Sequence, residues 1–284
     1  MVREKPSKNL AVVTGGGSGL GRSLALLLAQ EGWPVGIADI NREGASQTLK
    51  MAKLLGSRGD VMQVDVSNPA EVEEMADYFF GKWGKVDLLI NNAGIATAGT
   101  ISELLPEDWA KITHINYLGT VHGCSSFVPR MIKQGGGHIV NVASVAGMIC
   151  LPEMSPYNST KAAIIALSET MKVELAEHNI SVTAACPSFF HTPLIDDMKA
   201  TSDFQKDFAW SAFYYARISS AQVAEEILKA VKKDKLYCIP QASPRINWYI
   251  KRFNPSLYHG IIAKLIKYNI GKPFIMWLAR RGWV

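Results

Sequence analysis

Cysteine is scarce and scattered in this 284-residue chain: Cys124, Cys150, Cys186 and Cys238 form no CxxC pair and hold no metal-like spacing to histidine. Such thiols read as reduced and mostly buried, which fits a reducing cytoplasm and excludes a disulfide framework; no metal site is expected. Acidic residues are missing from the C-terminal stretch, where Lys235 to Val284 carries nine Lys or Arg and no Asp or Glu. The whole chain has a net charge of +5, so the part before Lys235 is net acidic. An acidic body with a basic tail points the tail at an anionic surface and argues against a general nucleic-acid-binding protein. No run approaches the roughly 18 apolar residues of a spanning helix. Met1 to Asn9 is polar and charged, without the apolar segment of a cleavable leader. The expectation is a cytoplasmic protein, with peripheral contact to the inner face of a membrane left open by the tail. Internal repeats and low-complexity linkers are also lacking, and 48% apolar residues are ample for one large core.

What is present begins with a short apolar run at residues 10–14, a glycine-rich turn, and helical apolar spacing from Leu20 to Gln30. The turn reads Thr14-Gly15-Gly16-Gly17-Ser18-Gly19-Leu20-Gly21, or TGxxxGxG. Backbone stripped of side chains lets a pyrophosphate reach a helix N-terminus, where free N–H groups and the helix dipole favour negative charge. A nucleoside-triphosphate loop is the rival reading, since Gly16 to Ser23 nearly spells GxxxxGK[ST], but Arg22 stands where the Lys belongs. The next strand ends at Asp39, twenty residues beyond Gly19. A carboxylate there accepts both ribose hydroxyls of an adenosine and repels a 2′-phosphate, which selects NAD over NADP. Ser18 and Ile40 offer no compensating cation, although Arg22 and Arg42 stand close by.

Alternation continues with helices near 43–56 and 69–83 and strands at 60–64 and 87–90, implying a doubly wound, mainly parallel α/β sheet of Rossmann type with helices on both faces. A long helical stretch, 106–134, contains Asn116, and a strand at 137–142 leads to Ser144. Tyr157 and Lys161 follow at i and i+4, on one face of a helix. A cation held beside a phenol favours the phenolate and lowers a pKa that is ordinarily near 10.

TGxxxGxG, Asp65-Val66, Asn91-Asn92-Ala93-Gly94, a Ser thirteen residues before a Tyr, and YxxxK together resemble the short-chain dehydrogenase/reductase family in its most common form. The match runs from about residue 8 to 240. The resemblance implies Asn116, Ser144, Tyr157 and Lys161 as the catalytic set, with the Asn116 carbonyl holding a water against Lys161. It implies cofactor contacts at Gly15, Gly17, Ser18, Gly19, Leu20, Gly21, Asp39, Asp65, Val66, Asn92, Ala93, Gly94, Tyr157, Lys161, Pro187 and Thr192. Ser188 stands where the family commonly has Gly. The implied chemistry is hydride transfer between NAD(H) and a secondary alcohol or ketone, with Tyr157 as acid/base, Lys161 lowering its pKa and binding the nicotinamide ribose, and Ser144 holding the substrate oxygen. The alternatives are a dinucleotide-binding sensor or scaffold without turnover, or an NADP-dependent 3-ketoacyl reductase. Family members pair helices corresponding to 106–134 and 156–178, so a homodimer or homotetramer is expected.

Residues 1–241 thus read as one catalytic domain with a lid at about 193–216, and 242–284 as a helical extension. Met198, Phe204, Phe208, Trp210, Phe213, Tyr214 and Tyr215 crowd the lid and suggest an apolar substrate cavity, hence a lipid- or steroid-like substrate. Residues 257–268 segregate completely on a helical wheel, with Leu257, Tyr258, Ile261, Ile262, Leu265, Ile266 and Tyr268 in one half-turn. Packing on the body is expected for that helix, and contact with an anionic membrane through residues 245–284, above all the outermost segment 272–284.

Overall fold

A computed structural model describes residues 9–196 and 198–284. The first eight residues of the expected catalytic domain, and Asp197 of the expected lid, lie outside it. Seven parallel strands form the central sheet: β1 (Ala11–Thr14), β2 (Val35–Asp39), β3 (Gly59–Gln63), β4 (Leu88–Asn91), a sixth-numbered strand after the short β5 (Thr97–Ala98), namely β6 (Gly137–Val142), then β7 (Ile180–Ala185) and, after the short β8 (Lys199–Ala200), β9 (Tyr237–Cys238). Their order is β3-β2-β1-β4-β6-β7-β9, while β5 and β8 pair separately. β1 and β4 are buried at every residue, as their unbroken apolar sequences require of strands covered on both faces. The order reverses direction between β1 and β4, and the carboxyl ends of these strands open a crevice at that switch point.

On one face lie α1 (Gly19–Gln30), α2 (Arg42–Leu54) and, from later in the chain, Ser220–Lys232, packing Leu24, Leu28 and Ile227 into one core. On the other lie α3 (Pro69–Trp83) and two later helices that bury Phe79, Phe127 and Met131. Local sequence sets the ends of α3: Asn68 caps it by accepting from Ala70 N, Pro69 occupies the first turn, and Gly84 terminates it at φ 77°.

The helix expected over 106–134 is in fact three pieces: α4 (Pro106–Ile112), a wide π-helical turn (Thr113–Leu118) and α5 (Gly119–Gln134). The wide turn carries Asn116, whose fully buried side chain makes two hydrogen bonds to the Ile95 backbone, accepting from its N at 2.8 Å and donating to its O at 3.0 Å. Single π turns inside helices recur at functional sites. After α6 (Val145–Ile149) and α7 (Ser155–Glu174) comes the segment expected to form a lid. Sequence suggests an irregular segment there, yet Asp203–Tyr214 forms α8, started by a capping box in which Ser202 and Gln205 satisfy each other's backbone N–H. α9 is the Ser220–Lys232 helix already placed. The extension is three helices where one was expected: α10 (Ala242–Phe253) against α6, α11 (Pro255–Lys267), and α12 (Gly271–Ala279) against α8. No helix among the described residues is long and apolar enough to cross a membrane.

Candidate active site

The glycine-rich turn closes over the crevice between β1 and β4. Gly15 has φ 62° and Gly19 φ 50°, a region that side chains disfavour. A Cβ on Gly21 would fall 2.1 Å from the Gly15 carbonyl oxygen, so only glycine lets α1 pack this close to the turn. Ser18 precedes α1 without making a side-chain cap, which leaves first-turn N–H groups free to meet an anion. Thr14 and Asn92 fasten the turn to the end of β4: Asn92 Nδ2 donates to the Thr14 and Gly15 carbonyls at 3.0 and 3.1 Å, and Thr14 Oγ1 accepts from the Asn92 and Ala93 backbones. Asp39 Oδ2 accepts from Gly17 N and Oδ1 from Asn41 N, both at 2.8 Å, so the carboxylate is fixed at the crevice rim. Arg22 turns away from that rim. It donates to Thr48 Oγ1 at 2.9 Å and to the Gly17 carbonyl. Arg42 is exposed at the start of α2. The turn, Ser18, Asp39, Asp65, Val66, Asn92 to Gly94, Pro187 and Thr192 all border one cleft, together with Leu20. Gly17 and Gly21 stand behind that surface as its support, Gly17 holding Asp39 and Gly21 backing Gly15. The free N–H groups of the turn and the carboxylate fixed at the rim fit a nicotinamide dinucleotide.

Deeper in the cleft, β6 and α7 bring the predicted catalytic side chains together. Ser144 caps α6, accepting from Ala146 N at 3.1 Å and donating to the Pro187 carbonyl at 3.3 Å. Lys161 is buried and donates to the Val142 carbonyl at 2.8 Å, with its Nζ 5.7 Å from the Tyr157 ring centre. Gly94 brings the cofactor loop against this lysine, since a Cβ there would lie 3.0 Å from Asn116 Oδ1 and 3.6 Å from Lys161 Nζ. The Asn116 carbonyl accepts from Thr120 Oγ1 at 2.8 Å. Burial pushes the Tyr157 phenol above its ordinary value, opposed by hydrogen bonding with Ser144. Burial also pulls the Lys161 ammonium down to about 8, opposed by the neighbouring Cys186. Lys161 stands beside the Tyr157 ring as the spacing implies, while burial of the phenol acts in the opposite sense to a cation's attraction.

Comparison with known proteins now decides the family. The short chain dehydrogenase family model matches residues 9–203. The chain belongs to the short-chain dehydrogenase family. Among curated proteins, 3-oxoacyl-[acyl-carrier-protein] reductase FabG of Thermotoga maritima is 35% identical over 66% of this chain and 77% of its own length. Cyclohexanol dehydrogenase of an Acinetobacter species is 31% identical over 70% of this chain and 80% of its own. Among solved structures, a Burkholderia phymatum short-chain dehydrogenase/reductase in complex with NAD superposes with TM-score 0.84 at 29% identity, covering 88% of this chain and 95% of that one. An actinorhodin polyketide ketoreductase variant with NADPH gives TM-score 0.72 at 26% identity over 82% and 94%. The chain is therefore an oxidoreductase of this family, which acts on CH–OH and C=O groups with a nicotinamide dinucleotide.

In this short-chain dehydrogenase the cleft has a volume of about 740 Å³ and an outer half walled by the lid and the extension. Met198, Phe204, Phe208 and Phe213 line it, joined by Phe189. Trp210, Tyr214 and Tyr215 do not. They are exposed and cluster on one another, with Trp210 and Tyr214 stacked at 4.5 Å. Tyr258, Ile262 and Leu265 of α11 form the roof, as the packing reading of that helix requires. The outermost segment, favoured from sequence for membrane contact, also touches the body: Lys272 Nζ lies 2.9 Å from Glu153 Oε1, and Arg217 donates to the Arg281 carbonyl at 3.1 Å. Ser188, the departure from the family pattern, donates its backbone N–H to Gln241 Oε1 at 3.0 Å, which fixes that loop without glycine. Glu153, Gln205 and Asn247 border the cleft and carried no sequence signal, because each is an isolated polar residue in an unremarkable context.

Proposed function

We propose that this chain is an NAD(H)-dependent oxidoreductase interconverting a secondary alcohol and a ketone, with a bulky, hydrophobic, lipid- or steroid-like substrate. The observation that carries the reading is one cleft in which Ser144, Tyr157 and Lys161 sit at the floor and phenylalanines and α11 make the outer walls. A few convergent polar groups in an otherwise apolar pocket orient one oxygen and exclude water around it. The dinucleotide supplies the hydride acceptor or donor. Tyr157 Oη passes a proton to or from the substrate oxygen, which the Ser144 hydroxyl holds; positioned proton transfer of this kind contributes roughly 10²- to 10⁴-fold. The phenol gives its proton in ketone reduction and, as phenolate, takes one back in alcohol oxidation. Lys161 binds the nicotinamide ribose, and Asn116 holds the loop of Ile95 in register beside it. Asp39, with Arg22 engaged elsewhere, supports NAD over NADP.

Residues 1–241 form the catalytic domain in this reading and 242–284 an added roof. Four thiols in no disulfide, three of them buried with pKa values pushed upward, suit a reducing cytoplasm. Pairing through α5 and α7 makes a homodimer or homotetramer, and sedimentation velocity at micromolar protein tests it. The function is tested by following NADH and NADPH across ketones and secondary alcohols of increasing chain length and ring number, with a 3-ketoacyl thioester alongside. Turnover rising with apolar size and favouring NADH is expected. A preference for NADPH with the thioester supports the 3-ketoacyl reductase reading, which the FabG relative favours, and absence of all turnover supports a binding protein.

A further inference from the structure

The apolar half-turn of α11 serves two sides. Tyr258, Ile262 and Leu265, at i, i+4 and i+7, face the cleft. A parallel stripe one residue earlier, Leu257, Ile261 and, just past the helix end, Tyr268, is 60%, 50% and 67% exposed. α10 repeats the pattern with Ile246, Tyr249, Ile250 and Phe253, which share one face by their i, i+3, i+4, i+7 spacing and are all more than half exposed, Phe253 at 93%. Isolated exposed apolar residues are ordinary, but consecutive stripes on two joined helices are not.

Charge identifies what covers them. Arg252, Lys264 and Lys267 are exposed beside the stripes, and no carboxylate occurs from Lys235 onward. A second copy of this chain is a poor occupant, because a two-fold contact through this face would set cations against the same cations. An anionic bilayer satisfies both features: the apolar side chains enter the headgroup boundary while lysines and arginines meet phosphates.

We infer that the exposed face of α10 and α11 docks this protein on anionic lipid bilayers, with Phe253, Leu257 and Ile261 at the headgroup boundary. The docking stands apart from the catalytic reading. Combined with it, the same helix that touches lipid walls the cleft, so an apolar substrate passes from bilayer to active site across a single helix.

The test is flotation of the full chain with phosphatidylcholine vesicles containing roughly one-third phosphatidylglycerol, and with phosphatidylcholine alone, at low and high salt. Binding to the anionic vesicles only, weakened by salt, is expected. Phe253→Asp and the pair Lys264→Glu with Lys267→Glu each reduce partitioning about tenfold, while the circular-dichroism melt stays unchanged because these side chains are exposed. Failure of the full chain to float at low salt overturns the inference, as does flotation that neither variant alters. A Phe253→Asp protein that changes from dimer to monomer in sedimentation without altered flotation also overturns it, assigning the face to a second copy. None of these readouts requires turnover, so they stand or fall separately from the proposed reaction.

Discussion

Lys272 of α12 and Glu153, at the mouth of the cleft, form an ion pair 2.9 Å long that joins the C-terminal extension to the turn between α6 and α7. Glu153 also accepts from Gln205 Nε2 of the lid at 2.8 Å, and Lys272 lies 4.7 Å from the centre of the Phe204 ring. One carboxylate therefore holds extension and lid together. With Lys272 half exposed, the ion pair itself is worth up to about 1 kcal/mol. Lys272→Ala is expected to raise KM for a bulky ketone about two- to fivefold with little change in kcat. Glu153→Ala is expected to do more, since it strands the buried Gln205 amide. Steady-state kinetics with one large and one small ketone check this; equal effects on both substrates contradict a role at the outer cleft.

Tyr157→Phe is expected to lower kcat at least a hundredfold, roughly the scale of a lost general acid, while the NADH dissociation constant changes little. Fluorescence titration and initial rates separate the two. A variant that keeps most of its kcat overturns the acid/base assignment.

Lys161, with its ammonium pulled down to about 8, supplies a pH break. The lysine is charged below that value and neutral above it, so NADH affinity and kcat/KM for ketone reduction are expected to decline above about pH 8. Lys161→Met should remove the break along with most of the affinity. A flat profile from pH 7 to 10 in the parent protein contradicts it.

Asp39→Ala combined with Ile40→Arg is expected to shift the NADPH-to-NADH ratio of kcat/KM at least roughly tenfold toward NADPH, by removing a repulsive charge and adding an attractive one. Tighter binding of NADPH than NADH by the parent protein refutes the role given to Asp39.

His138 offers a stability test remote from the cleft. Its Nε2 lies 2.8 Å from Thr183 Oγ1, and that hydroxyl donates to the Lys235 carbonyl, so Nε2 carries a hydrogen and is the donor. Burial lowers its pKa from 6.5 to about 4. Between those values the unfolded chain binds a proton that the folded chain refuses, so stability is full above pH 6.5 and falls as pH drops toward 4. The loss amounts to about 3 kcal/mol. His138→Gln keeps a donor for Thr183 and should flatten this part of the urea-midpoint profile; an unchanged slope assigns the loss to other groups.

Family resemblance implied Ser144 beside Tyr157 and Lys161; sequence pattern alone determined the parallel α/β architecture, the phosphate turn and the shared helix face of Tyr157 and Lys161. These depend on short-range patterns: buried strands read as unbroken apolar runs, glycine marks close approach, and i, i+4 places two side chains on one helix face. Only the tertiary structure decided the rest. The π turn at Thr113–Leu118 follows from Asn116 bonding Ile95, twenty-one positions away. Burial that opposes ionisation of the Tyr157 phenol comes from the assembled cleft, which no spacing encodes. The wheel of α11 showed one apolar arc; packing divided it into a stripe over the cleft and a stripe left bare, because hydrophobicity is non-directional and tertiary contacts choose what covers it.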